Sequence, residues 1–208
     1  MKSGSFDPSL LADFTVPSTL IAGVDEVGRG AVFGSVVAAT VVMPLSAIDD
    51  LIVLGVKDSK KLSPDKRQGL VDGIKEVSSA WGIGVASVAE IDQLNILQAS
   101  LLAMRRSFDS LQVAPDICLV DGKFAIPKLN IQQKTVIKGD SRSPIIAAAS
   151  ILAKVWRDDL IVSLAPNYQK YNLASNKGYP TAQHLAAIKK YGITSEHRRS
   201  FKPCQLNN

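Results

Sequence analysis

Four acids in this chain close short apolar runs and lead into turns. Asp25 and Glu26 follow residues 20–24 and precede Gly28. Asp121 follows Cys118, Leu119 and Val120 and precedes Gly122. Asp140 follows Gly139 and stands just before Ser143 and Pro144. In an open α/β sheet, strand ends that run into turns are where sites collect. Carboxylates gathered there repel one another and raise each other's pKa. A divalent cation removes that conflict, and hard oxygen ligands suit Mg²⁺ or Mn²⁺. Taken singly, each acid reads as a turn residue capping local amides. All four at the ends of apolar runs favour a shared site. One tension stands: neighbours on a regular strand point to opposite faces, so Asp25 and Glu26 cannot both aim at one ion unless the strand end is irregular.

The elements that must position these acids follow from pattern. Residues 20–24 read as a strand. Residues 36–43 read as a second strand, apolar on both faces, with a turn at Gly28-Arg29-Gly30 between them. Ser63-Pro64-Asp65 starts a helix running to about residue 79, and residues 81–85 form a third strand. Ser87 and Glu90 fit a capping box. It opens one long amphipathic helix with Ile91, Leu94, Leu97, Leu101, Met104, Phe108 and Leu111 on its apolar stripe. Strands at 117–120 and 135–137 end on Asp121 and just before Asp140. Ser143-Pro144 begins a helix to about residue 164, whose early face is small: Ala147, Ala148, Ala149, Ser150 and Ala153. A last helix spans 182–191. Three strands of antiparallel look, then strands alternating with helices, predict an α/β fold with a mixed central sheet flanked by helices.

The chain has 208 residues, 46% of them hydrophobic and 21% charged, which fits one globular domain and excludes overall disorder. Residues 1–17, with Pro8 and Pro17, read as an irregular lead-in. Residues 18–208 read as the folded domain, ending in a basic helical segment from about residue 165. Two cysteines, Cys118 and Cys204, exclude a disulfide scaffold. The longest apolar run, 36–44, is about half of what a bilayer requires, and the N-terminus lacks a signal-peptide core. The expectation is a cytoplasmic protein without membrane attachment. The whole net charge of +5 lies between residues 176 and 202, where Lys177, Lys189, Lys190, Arg198, Arg199 and Lys202 face one acid, Glu196. A basic patch on a neutral body suggests a polyanion such as nucleic acid, against the alternative of a solvated, lysine-rich helix. His184 and His197 stand at neither metal-ligand nor triad spacing and receive no catalytic role.

The motifs, taken in order, resemble the ribonuclease HII family. They are residues 23–30, Gly-Val-Asp-Glu-Val-Gly-Arg-Gly; residues 58–63, Asp-Ser-Lys-Lys-Leu-Ser; Val120-Asp121-Gly122; and Lys138-Gly139-Asp140-Ser141. The run from Ala147 to Val155, then Arg157-Asp158, residues 177–181 and residues 197–201 complete the set. The blocks span about residues 20–201. Each is weak alone; their ordered combination is specific.

The resemblance implies an RNase H-like fold. It implies a metal-dependent endonuclease that cuts RNA in RNA·DNA hybrids and single ribonucleotides within duplex DNA, as in ribonucleotide excision repair. The cut would fall on the 5′ side of the ribonucleotide and leave a 3′-hydroxyl and a 5′-phosphate. Asp25, Glu26, Asp121 and Asp140 would hold the metal, Mg²⁺ or Mn²⁺. Gly28, Arg29 and Gly30 would contact the 2′-OH, and Tyr179 would pack on the next sugar and sense the RNA–DNA junction. Lys60, Lys177 and the C-terminal basic residues would hold phosphates. The enzyme would act as a monomer. The chain departs from the family pattern at Phe33, which is bulky beside the glycine turn, at Asn176, where His is common, and at Lys202. Two rivals stay open. One is a nuclease of the same fold acting on all-DNA substrates, against which the glycine turn and Tyr179 argue. The other is a hybrid-binding module without catalysis, against which the four intact acids argue.

Overall fold

The computed structural model describes residues 6–205; the first five residues of the lead-in and the last three of the chain lie outside them. The elements run β1 (Leu20–Val27), β2 (Val36–Pro44), α1 (Ile48–Val53), α2 (Pro64–Val77), β3 (Ala80–Ala86), α3 (Val88–Leu94) and α4 (Ile96–Asp109). They continue with β4 (Ile117–Asp121), β5 (Gln132–Val136), α5 (Gly139–Arg142), α6 (Pro144–Leu164), α7 (Leu173–Asn176) and α8 (Ala182–Tyr191). One five-stranded sheet has the order β3-β2-β1-β4-β5. The β1–β2 and β2–β3 pairs are antiparallel, and β4 and β5 add in parallel. The mixed α/β sheet agrees with the expectation.

Alternation along the strands sorts the core onto two faces. Ile21, Ala39, Val41 and Leu119 pack on one side with Ile145, Ala148 and Ala149 of α6. Ala22, Val24, Ala38 and Cys118 pack on the other with Ala99, Ala103 and Met104 of α4. The small early face of α6 lets it approach the sheet closely. At Gly23 a Cβ would fall 2.6 Å from the Ile145 carbonyl carbon, so no side chain fits there. This contact seats the start of α6 directly below the acids of β1.

A third cluster lies under the C-terminal segment: Val32, Phe33, Ile161, Tyr171, Leu173, Ile188 and Cys204. Phe33 is fully buried and meets Tyr168 and His197 edge-on, each at 5.0 Å between ring centroids. Burying such a ring is worth about 1.5–3 kcal/mol. The bulk that departs from the family pattern is therefore an anchor, tying the loop after β1 to the C-terminal core.

Two expectations are corrected. The long helix from Ser87 is broken at Asn95, whose φ is +72°. The Asn95 side chain accepts hydrogen bonds from the N–H groups of Leu97 and Gln98, starting α4 afresh. The apolar stripe continues across the break, so periodicity alone could not reveal it. The C-terminal basic residues also do not form one surface patch: Arg198 is entirely buried. Its guanidinium donates to the carbonyls of Gly34 and Arg29, so it is a structural group and not a phosphate contact.

Candidate active site

Asp25 lies near the end of β1, and Asp121 is the last residue of β4. The parallel register pairs Val24 with Val120, so these two acids stand one step further along, on the same face of adjacent strands. Glu26 is the next residue on β1. It still pairs with Ala38 of β2 but lies beyond the last β4 residue paired with β1, so its longer side chain can return around the open strand end. One carboxylate oxygen from each of Asp25, Glu26 and Asp121 lies within 4.8 Å of the others. The strand-alternation conflict is thus resolved by position at the strand end.

Asp140 sits on α5, beside this group rather than within it. The Gly139 N–H donates to Asp121 Oδ1 at 2.6 Å, tying α5 to the end of β4. The Asp140 carboxylate accepts from Lys60 Nζ at 2.6 Å. Lys60 was expected on phosphate; here its ammonium, on an exposed side chain, closes the acid cluster from the solvent side, and the pairing raises its pKa.

The electrostatics fit a site for a divalent cation. Burial, then Glu26 and Asp121, push the Asp25 carboxyl well above its ordinary range. Burial also raises Glu26, opposed by the Arg29 guanidinium, which bonds Glu26 Oε1 at 3.1 Å. Burial and the Asp140 charge raise Asp121, opposed by the Gly139 N–H and by Lys60. Three oxygen donors whose ionised forms are all disfavoured are a donor set that a hard divalent ion stabilises. Asp25, Glu26 and Asp121 could hold it, with Asp140 adjacent.

A cleft of about 290 Å³ opens over the acids and is walled by Lys60, Arg67, Lys154 and Tyr179. Ser59 and Ser150 form its floor, with their hydroxyls 3.0 Å apart. Lys154 Nζ stands 5.1 Å from the Tyr179 ring centroid. The glycine turn flanks the cleft. Gly28 has φ +94°, and a Cβ there would strike the Arg157 side chain. Arg29 and Gly30 are exposed. Lys177 is half-buried, does not line the cleft, and its ammonium bonds the Ala174 carbonyl. The structure thus brings together Asp25, Glu26, Asp121, Lys60 and Tyr179, with Gly28, Arg29 and Gly30 alongside and Asp140 next to them.

Sequence reasoning gave no role to Ser59, Arg67, Ser150, Lys154 or Arg157. Ser59, Ser150, Lys154 and Arg157 lie inside the motif blocks, which was the available signal; Arg67 lies outside them. The two histidines are paired with each other, 3.3 Å apart through their Nε2 atoms, and are buried. Among the described residues no helix is long and apolar enough to cross a membrane.

The sheet topology and the acid cluster at the ends of β1 and β4 define a protein built to hold a divalent metal at its strand ends. A ribonuclease HII profile matches residues 22–204. Ribonuclease HII of Acaryochloris marina (strain MBIC 11017) is 59% identical over 190 residues, covering 91% of this chain and 96% of that protein. Ribonuclease HII of Microcystis aeruginosa (strain NIES-843 / IAM M-2473) is 60% identical over 186 residues, with 89% of each chain covered. The crystal structure of ribonuclease H2 from Pyrococcus horikoshii OT3 superposes with a TM-score of 0.76 at 28% identity, over 90% of this chain and 96% of that one. The chain belongs to the ribonuclease HII family.

Proposed function

We propose that the chain cleaves the RNA strand of RNA·DNA hybrids and single ribonucleotides embedded in duplex DNA. The cut lies 5′ of the ribonucleotide and leaves a 3′-hydroxyl and a 5′-phosphate. The observation that carries this reading is the convergence of Asp25, Glu26 and Asp121 within 4.8 Å, next to a glycine turn that lets backbone approach a sugar. That hydroxyl-bearing sugar is what separates RNA from DNA.

Asp25, Glu26 and Asp121, with the adjacent Asp140, would hold the divalent metal, Mg²⁺ or Mn²⁺. When bound, the metal supplies an activated water and stabilises the leaving oxygen of an in-line displacement. The protein's own residues do the rest. The cleft walls of Lys60 and Lys154 favour the phosphodiester beside the acids, and Lys177 adds a contact outside the cleft. Gly28, Arg29 and Gly30 meet the 2′-OH, and Tyr179 packs on the following sugar. The enzyme works as a monomer in the cytoplasm, with residues 18–208 as one catalytic unit, in ribonucleotide removal from DNA.

The test is cleavage of an end-labelled duplex carrying one ribonucleotide, with Mg²⁺, with Mn²⁺ and with chelator, beside an all-DNA duplex. A single metal-dependent cut at the ribonucleotide, with a 5′-phosphate on the downstream product, is expected. Cutting of the all-DNA duplex, or a 3′-phosphate product, would overturn the reading.

A further inference from the structure

Two arginines in this chain, Arg157 and Arg198, are fully buried. Among the described residues neither forms an ion pair with a carboxylate. A buried guanidinium is retained only where its donors are satisfied. Those of Arg157 go to backbone carbonyls of two separate loops. Its Nε donates to Ser35 at 3.0 Å and its Nη2 to Phe33 at 3.0 Å, both in the loop that begins with the glycine turn. Its Nη1 donates to the Lys177 carbonyl at 2.9 Å, two residues before Tyr179. Its stem lies where a Cβ of Gly28 would be, and its Cζ stands 5.4 Å from the Tyr179 ring centroid. One side chain on the rigid α6 therefore touches the glycine turn, its following loop and the Tyr179 loop.

We propose that Arg157 is a positioning residue for substrate choice: it fixes the gap between the Gly28–Gly30 turn and the Tyr179 ring, and that gap decides which sugar pair the site accepts. The inference rests on the function proposed above. Lysine cannot replace it, since three carbonyls on two loops need the planar fork of a guanidinium. Asn176 pins the same loop from the other side. Its Nδ2 donates to the Tyr171 carbonyl at 2.6 Å, and its Oδ1 accepts from the Gly178 N–H at 2.8 Å. The hydrogen bonds of both residues go to backbone groups, so they act through the loops and not on the reacting atoms.

The experiment compares wild type, Arg157→Lys, Tyr179→Ala and the double variant on two substrates: a duplex with one embedded ribonucleotide and a long RNA·DNA hybrid. Ile74→Ala, a fully buried position of α2 away from both loops, serves as a control for destabilisation alone, with melting midpoints recorded for all. Arg157→Lys should lower kcat/KM on the single ribonucleotide about 30-fold and on the hybrid about 3-fold, and the double variant should lose no more than its worse parent. Equal losses on both substrates, fully additive losses, or the same substrate ratio change in Ile74→Ala would overturn the proposal. If Arg157→Lys does not fold, Asn176→Ala carries the test, with the same substrate bias expected at about 5-fold; an unbiased loss there overturns it. Absence of any cut by the wild type would instead refute the function proposed above.

Discussion

The acid cluster and the recognition loops sit side by side but are held by opposite means. Asp25, Glu26 and Asp121 stand on strands whose positions are set by backbone ladders and by α6 packing on Gly23. Their conflict is with each other: like charges at one strand end. The loops around Gly28 and Tyr179 have no ladder of that kind. They are held by two buried guanidiniums, a buried amide and a buried histidine, each bonded to loop carbonyls or N–H groups. The scaffold of the chemistry is therefore rigid by default, whereas the scaffold of the recognition combines isolated backbone bonds, such as Val32 N–H to the Gly178 carbonyl at 2.9 Å, with these side chains. Substitutions in the first region should switch the reaction off and leave the fold alone. Substitutions in the second should change which substrate is accepted, and destabilise.

The largest expected effect is at Asp121. Asp121→Asn keeps the shape and removes one charge from a repelling group, so cleavage should fall by more than about 10³-fold, roughly 4 kcal/mol of transition-state stabilisation. The melting midpoint without metal should stay level or rise, and binding to an RNA·DNA hybrid should be nearly unchanged. A clear drop in melting midpoint would show that the cluster is a stabilising network instead. Gly28→Ala comes next and tests the other region. Its φ of +94° and the Arg157 stem beneath it both oppose a Cβ, so a loss of about 1–3 kcal/mol in stability is expected. Cleavage at a single ribonucleotide should fall about 100-fold. Chemical denaturation and the duplex assay measure the two losses. Tyr179→Ala should remove about 30-fold on the single ribonucleotide and much less on a long hybrid; equal losses would make Tyr179 a general contact.

The same contrast explains what could be seen in the sequence. Acids at the ends of apolar runs are visible because strand and turn chemistry are local signals, and Asp25, Glu26 and Asp121 do converge. Asp140 was visible too, though the fold pairs it with Lys60, a contact between residues far apart in sequence. The sequence pattern starts the polar edge strand β5 three residues late, at Thr135, because its Gln-Gln-Lys start carries no apolar pattern. The break at Asn95 was hidden by an apolar stripe that runs through it. The sequence assigns Arg157 no role and puts Arg198 in a phosphate-binding basic segment, because nothing local marks an arginine whose partners are carbonyls on distant loops.

The smallest predicted effect concerns the histidine pair, which belongs to the loop region. The Thr194 N–H can only donate, so His197 Nδ1 accepts from it, at 3.0 Å. The proton of neutral His197 is then on Nε2, facing His184 Nε2 at 3.3 Å. That leaves His184 Nδ1 to donate to the Tyr179 carbonyl at 3.0 Å. The relay works only while both rings are neutral. Burial and the neighbouring His184 push His197 down to about 4, and burial lowers His184 as well. For a base whose folded pKa is depressed, the unfolded chain binds more protons below about pH 6.5, so stability falls as pH drops from there toward 4. Between pH 7 and 5.5 the loss from His197 should be about 1 kcal/mol. The carboxyls of the acid cluster, raised by burial, act in the reverse direction, so wild type must be compared with His197→Gln rather than read alone. The difference in unfolding free energy between the two should shrink by about 1 kcal/mol over that range. If the difference stays flat, the pair carries its protons without penalty, and the Tyr179 loop does not depend on its neutrality.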